Sequence, residues 1–203
     1  MDIEFPVMGQ ALPIELSNTL WVHAGRVIDA LSTVGGTSRW VATIAPRLPE
    51  SPPDVDEDLR AGLIALRQSV RAVLAATVTA QPLPPDALSR LSAASRAAPA
   101  WWEIAWESDR PVARRRRRGS PSRGILATLA DDTISLVAGR ATFPLRSCPG
   151  PGCIGFFLQD KARRRFCSPT CATRGRVAQH YQRHAHPPKI RGGDAPPAGP
   201  RPL

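Results

Sequence analysis

The chain has 203 residues, 27 Lys+Arg against 17 Asp+Glu, a net charge of +10 and 42% hydrophobic residues, enough for one mid-sized domain with its own core beside a much smaller one. It contains no uninterrupted apolar run of 18 residues, which argues against a membrane span, and its opening MDIEFPVMGQ lacks the basic and apolar regions of an export signal, so a reducing cytoplasm is the expected compartment. Charge is split along the chain: residues 1–110 hold 9 Lys+Arg against 13 Asp+Glu, net −4, and residues 111–203 hold 18 against 4, net +14, which makes a polyanion the natural partner of the second half.

Residues 1–12 read as a lead-in strand or coil. From Pro13 the apolar positions Leu16, Leu20, Val22, Val27, Ile28 and Leu31 continue as a mostly helical stretch. Within it Asn18 and Thr19 have two readings: a local turn or cap, which these residue types commonly supply, and the lining of a small-molecule pocket. The weight falls on the first. His23 has no ligand partner at helical spacing. Gly35-Gly36-Thr37-Ser38 reads as a turn in which Thr37 or Ser38 caps a short helix over 39–45; no Gly-Lys-Ser/Thr follows, so this is not a phosphate loop.

After a linker at 46–53 bounded by prolines, residues 54–79 form the clearest helix. Leu59, Leu63, Leu66, Val70, Val73 and Val78 recur at steps near three and four, and Asp54, Asp56, Glu57 and Asp58 crowd its positive end. The repeat is too short for a coiled coil and reads as a core stripe. A second helix follows over 86–98, then a strand over 102–106 whose tryptophans read as core anchors. The five consecutive arginines at 114–118, flanked by Pro111 and by Gly119-Ser120-Pro121, read as an exposed loop, a solvated insertion or an accessory phosphate contact. Helical apolar positions return over 124–137 and close a first domain of residues 1–140.

All four cysteines fall in the next stretch, as Cys148-x4-Cys153 and Cys167-x3-Cys171 with thirteen residues between the pairs. Two short-spaced pairs across a hairpin-sized insert let two chain segments close one tetrahedral Zn²⁺ site through four thiolates. Two disulfides are the alternative for a secreted chain, and the expected compartment disfavours them. A closed four-thiolate site leaves no open position for substrate, so it holds structure rather than doing chemistry. Between the pairs, Ile154, Phe156, Phe157 and Leu158 predict a strand, 159–162 a turn and 163–166 a returning strand. Ser168 suits an N-cap and Pro169 the first position of a helix that runs to His184. Knuckle, hairpin and helix make a treble-clef-like zinc finger over 145–186, and the Pro/Gly-rich segment 187–203 reads as a disordered tail.

The segment Arg164-Arg165-Phe166-Cys167-Ser168 followed by Cys171-Ala172-Thr173-Arg174 resembles the CGNR zinc finger, with Phe166 where that family has Trp and Ala172-Thr173 where it has Gly-Asn. Leu16-Ser17-Asn18-Thr19 is similar to the Asn-Thr signature near the start of ABATE domains, which precede that finger in bacterial, stress-induced transcription regulators. The resemblance implies one structural Zn²⁺ held by Cys148, Cys153, Cys167 and Cys171, double-stranded DNA as partner of the finger, and a small-molecule or protein effector at the N-terminal domain, with Asn18 and Thr19 as candidate ligand contacts.

The residues themselves say where DNA would sit. Arg176, His180 and Arg183 share one face of the last helix with Gln179 beside them, and Arg176, Gln179 and Arg183 are the candidates for base edges, while Val177, Tyr181 and Ala185 should turn toward the finger's own core. Arg163, Arg164 and Arg165 should supply phosphate contacts. Arg174, three residues after Cys171, falls on the metal side and should support the thiolates. The expected fold is mainly α with minor β: an N-terminal helical (α+β) domain plus the small finger. No nucleophile triad, hydrolase motif or nucleotide fingerprint occurs, so no catalysis is expected. The alternatives to a DNA-binding regulator are a zinc-stapled protein-interaction module using Phe156 and Phe157 or the tryptophans, and an RNA-binding module, favoured if exposed Phe156, Phe157 or Tyr181 stack on bases.

Overall fold

The structure, a computed structural model, describes residues 9–140 and 142–185; the first eight residues and the segment 187–203 lie outside the described residues. In chain order the elements are α1 (Leu12–Ser17), β1 (Leu20–His23), β2 (Arg26–Asp29), α2 (Val34–Ile44), α3 (Glu57–Val78), α4 (Pro85–Ala97), β3 (Ala100–Glu107), β4 (Arg110–Arg117), α5 (Pro121–Ser135), β5 (Leu145–Ser147), β6 (Phe156–Leu158) and α6 (Pro169–Ala185). The strands form three antiparallel pairs, β1–β2, β3–β4 and β5–β6. This is the mainly helical architecture with minor β that the sequence predicts.

The larger domain is built on α3. Asp56 Oδ1 accepts the Leu59 N–H at 2.7 Å and fixes the helix start, while Glu57 and Asp58 sit in the first turn, where the helix dipole favours them. Leu59, Leu63, Leu66, Val70, Val73 and Leu74 are buried, and α1, α4 and α5 pack against the helix. By length and composition α3 is, among the described residues, the helix apolar enough to cross a membrane. Here its apolar stripe faces other helices. The six residues of α1 are all buried, which draws polar groups inside: Arg67 of α3 donates to both carboxylate oxygens of Asp29 at 2.5 and 2.7 Å and to Thr19 Oγ1 at 3.0 Å. Burial pushes the Asp29 carboxyl up, and the Arg67 hydrogen bond and charge outweigh it and hold it below the usual range.

Three segments differ from the sequence reading. The helix expected to continue from Pro13 stops at Ser17, and the chain turns into β1–β2, with Leu20 opposite Asp29 and His23 opposite Arg26. Ala24 and Gly25 make the loop with φ of 48° and 76°, the two-residue form whose twist suits a hairpin. Next, α2 begins five residues before the expected 39: Thr33 Oγ1 accepts the Gly36 N–H at 3.0 Å. Gly36, inside this helix, has to be glycine because a Cβ there would meet Ala30 O at 2.4 Å.

The third difference is the arginine run. Instead of an exposed loop, 114–117 belong to β4, paired with β3 from Ala100 opposite Arg117 to Glu107 opposite Arg110. Ser108 and Asp109, with φ of 47° and 62°, form the turn. Arg114 pairs with Glu107, and Arg116 with Glu103 at 2.8 Å. Arg115 and Arg117 both reach Asp131 of α5, at 2.9 and 2.6 Å. Four of the five arginines are therefore paired within the domain, by three carboxylates. The tryptophans of β3 are not core anchors: Trp101, Trp102 and Trp106, with Ile104, are exposed, because the hairpin is fixed at its base through Asp131 and the core between the helices is filled by aliphatic side chains and Trp40.

Candidate metal centre and nucleic-acid face

The finger's metal centre starts from backbone turns. β5 leads into the segment Pro149-Gly150-Pro151-Gly152, where the Cys153 N–H bonds Gly150 O and the Cys148 N–H bonds Gly155 O, each at 2.9 Å. Gly152 takes φ 67°, and a Cβ on Gly150 would lie 3.1 Å from Cys171 Cβ, so both glycines are required by the tightness of the turn. β6 follows and pairs back on β5, Leu145 opposite Leu158 and Ser147 opposite Phe156. The knuckle thus sits at the tip of this hairpin. The returning strand expected at 163–166 does not form; the Arg164 N–H instead bonds Lys161 O at 2.9 Å in a turn.

α6 brings the second pair. Ser168 Oγ accepts the Cys171 N–H at 3.2 Å and Ser168 O the Ala172 N–H at 3.0 Å, with Pro169 at the first helical position, as the sequence predicts. The four sulfurs lie within 4.8 Å of one another. Cys153 and Cys167 are 3.7 Å apart and Cys167 and Cys171 3.5 Å, close to the roughly 3.8 Å edge of a tetrahedron with Zn–S bonds of about 2.3 Å. They are far from a disulfide bond, and all four cysteines are free.

The protonation conflict among the thiols also fits a cation. Hydrogen bonding from Cys153, and then from Cys167, lowers the Cys148 pKa to about 2, while sharing with Cys148 pushes Cys153 up to about 11 and Cys167 up as well. A Zn²⁺ among them would let all four ionise. The donors are four soft thiolates in a closed set, so the site stabilises structure and leaves no coordination position for substrate.

Two supports surround it. Arg174 Nη2 donates to Cys171 Sγ at 3.0 Å, the metal-side role its spacing predicts. Gly175, inside α6, lies under the Phe166 ring: a Cβ there would come within 2.6 Å of Phe166 Cζ. Gly175→Ala is therefore expected to destabilise the finger by about 1–3 kcal/mol, the usual cost of overpacking, although Ala is the better helix former. Urea unfolding checks the sign, and adding Phe166→Ala should remove most of the Gly175→Ala effect.

Residues 10–140 match the model of the ABATE family, described as "Putative stress-induced transcription regulator", and residues 145–184 match the CGNR zinc finger. The chain belongs to the ABATE family. No curated protein matches it. Its ABATE domain is followed by a CGNR finger that holds one structural zinc ion.

The ABATE domain and the finger are joined through β6, whose alternating side chains enter two cores. Phe156, 7% exposed, belongs to the core of the ABATE domain, and Phe157, 2% exposed, packs with Cys148, Cys167 and Cys171. Asn18, at the end of α1, brackets the Phe156 backbone: its Oδ1 accepts the Phe156 N–H at 3.0 Å and its Nδ2 donates to Phe156 O at 2.9 Å. Gln10 Oε1 accepts the Leu158 N–H at 2.6 Å. Arg71 of α3 donates to Ser17 O at 2.8 Å and Ile154 O at 2.9 Å and lies 5.6 Å over the Phe156 ring. Asn18 and Thr19 form the turn that ends α1, with Asn18 as its C-cap residue, its N–H bonded to Ile14 O at 2.9 Å, and the Thr19 hydroxyl donating to Leu16 O; both side chains are buried and neither opens to a pocket. Gln10 and Arg71 carried no motif that could have marked them in the sequence.

Of the proposed DNA contacts, Arg163, Arg165, Arg176, Gln179 and His180 are exposed. Arg164 turns inward: it pairs with Asp160 at 3.2 Å, donates to Cys167 O at 3.1 Å and stacks 5.6 Å over Phe157. Arg176 donates to Thr173 Oγ1 at 2.9 Å, and His180 meets the Tyr181 ring edge-on at 6.1 Å. The side chain of Arg183 lies outside the described residues. Val177 and Tyr181, expected to pack inward, are exposed, because Phe157, Phe166 and the cysteines fill the finger's small core.

Proposed function

We propose that the chain is a bacterial, cytoplasmic regulator of transcription whose CGNR finger binds double-stranded DNA and whose ABATE domain receives a small-molecule or protein effector. The observation that carries this reading is the exposed basic side of the finger, with Arg163 and Arg165 beside the start of α6 and Arg176, Gln179 and His180 along it. Within 145–185 the sequence holds eight Lys+Arg against the single acid Asp160, so the zinc–tetrathiolate charge of −2 leaves the module positive. The helix supplies side chains able to pair with guanine or adenine in a major groove, and the exposed arginines of the preceding turn supply phosphate contacts. Phe156 and Phe157 are both buried and so are withdrawn from base stacking, which leaves Tyr181, 70% exposed, as the aromatic of the finger that an RNA base could use. Four reduced cysteines suit a cytoplasmic location. An open cleft of about 660 Å³ lined by Ser95, Arg96, Arg115, Asp131 and Ser135 supports the reading of an effector site on the ABATE domain. The reading assigns no catalysis.

Two double variants test it by fluorescence anisotropy on duplexes of varied sequence at several salt concentrations. Arg176→Ala with Gln179→Ala should lower discrimination between sequences by about 1–3 kcal/mol, and Arg163→Ala with Arg165→Ala should weaken all sequences alike and reduce the salt slope by about two. Parental binding by both variants would rule the finger out as the DNA reader.

A further inference from the structure

The β3–β4 hairpin carries a face for which neither zinc nor DNA has a use. Residues directly opposite in an antiparallel pair point to the same side, so Trp102, Ile104 and Trp106 of β3 share one face with Arg115, Ala113 and Pro111 of β4. Arg115 is tied to Asp131 at the base. The rest of this face is apolar and open: Trp102 is 69% exposed, Ile104 81% and Trp106 72%. The charges lie on the opposite face, where Glu103 pairs with Arg116 and Glu107 with Arg114.

We infer that this face is the contact with a second copy of the chain. A two-stranded hairpin is marginal in water unless something covers it, and a contiguous apolar patch of this kind marks an interaction site. Self-complementarity singles out another copy. One strand presents a row of bulky side chains, and its neighbour presents the low step of Ala113 and Pro111. A two-fold axis running along the strands lays Ile104 and Trp106 of each copy over Ala113 and Pro111 of the other and Trp102 over Arg115, the isologous arrangement of a closed dimer.

The size is adequate. At these exposures the three side chains offer up to roughly 500 Å² per copy, taking 150–250 Å² for a large buried side chain, so full coverage in both copies would bury about 1,000 Å², the lower bound for a specific interface. No unpaired charge of 114–117 opposes the contact, since all four arginines hold carboxylates within their own domain. A nucleic acid would need those same arginines released from their partners.

Sedimentation velocity on the full, zinc-loaded chain at micromolar concentration is the test. The wild type is expected to be a dimer and Ile104→Arg a monomer with the same far-UV circular dichroism, while Trp101→Ser, on the opposite face, should stay dimeric. Trp102→Ser with Trp106→Ser should also give a monomer, and the wild-type tryptophan emission should shift to the red on dilution. A monomeric wild type overturns the inference, and so does an Ile104→Arg variant that remains dimeric. A monomer whose emission shifts to the blue only on adding anionic lipid vesicles or duplex DNA overturns it too and assigns the face to that occupant.

Discussion

Stripping zinc from the purified protein is expected to remove amide-exchange protection from β6 and α6 and to loosen the ABATE domain where Phe156 enters it. The finger's own core consists of Phe157, Phe166 and the cysteines, too little apolar surface to order a module of this length without another source of stability. A structural zinc site supplies an apparent binding energy of about 10–16 kcal/mol, which in such modules is folding energy. The loss should not stop at the finger, because Phe156 and Phe157 are adjacent on one three-residue strand and face different cores. The holo protein should contain one Zn²⁺ per chain, and Cys171→Ser should behave like the chelated wild type. If the chelated protein keeps full protection at Phe157 and along α6, the metal does not organise the fold.

The metal site was readable from spacing because coordination is local chemistry. Four thiolates in two short pairs allow few alternatives, and Ser168-Pro169 announces the helix that carries the second pair. α3 was readable because its stripe repeats over six turns. The hairpins were not. Their loops, Ala24-Gly25 and Ser108-Asp109, lack the Asn-Gly or Asp-Gly pairs that advertise a two-residue turn, and the strand β4 is rich in arginines whose stabilising carboxylates, Glu103, Glu107 and Asp131, lie up to 16 residues away in sequence. The turn at Lys161–Arg164 replaced an expected strand because β6 already had a partner in β5, a choice made by tertiary contact with the ABATE core and not by local propensity. Asn18 was singled out by its family signature, but what it does depends on a residue 138 positions away.

That long-range contact yields the second large expected effect. Asn18→Ala should destabilise the protein by about 2–4 kcal/mol, because it strands both the Phe156 N–H and the Phe156 carbonyl in a buried position, each costing about 1–3 kcal/mol. Zinc stoichiometry should stay at one per chain, because Asn18 touches no ligand sulfur; the damage falls on docking of the finger. Asn18→Asp separates this account from simple packing. The aspartate has the same shape, so packing alone predicts a near-neutral change. Hydrogen-bond chemistry predicts a loss at least as large as that of alanine, since the second carboxylate oxygen would face the Phe156 carbonyl oxygen at the 2.9 Å now bridged by the Nδ2 donor, and would bury a charge near the anionic zinc centre. Thermal unfolding of the three proteins orders them, and an Asn18→Asp variant as stable as the wild type would remove this residue from the seam. If the order holds, any signal that an effector imposes on α1 or α3 has a defined route to the finger: Asn18 and Arg71 grip the strand that also carries Phe157 into the metal core, so moving either helix moves the base from which α6 is presented.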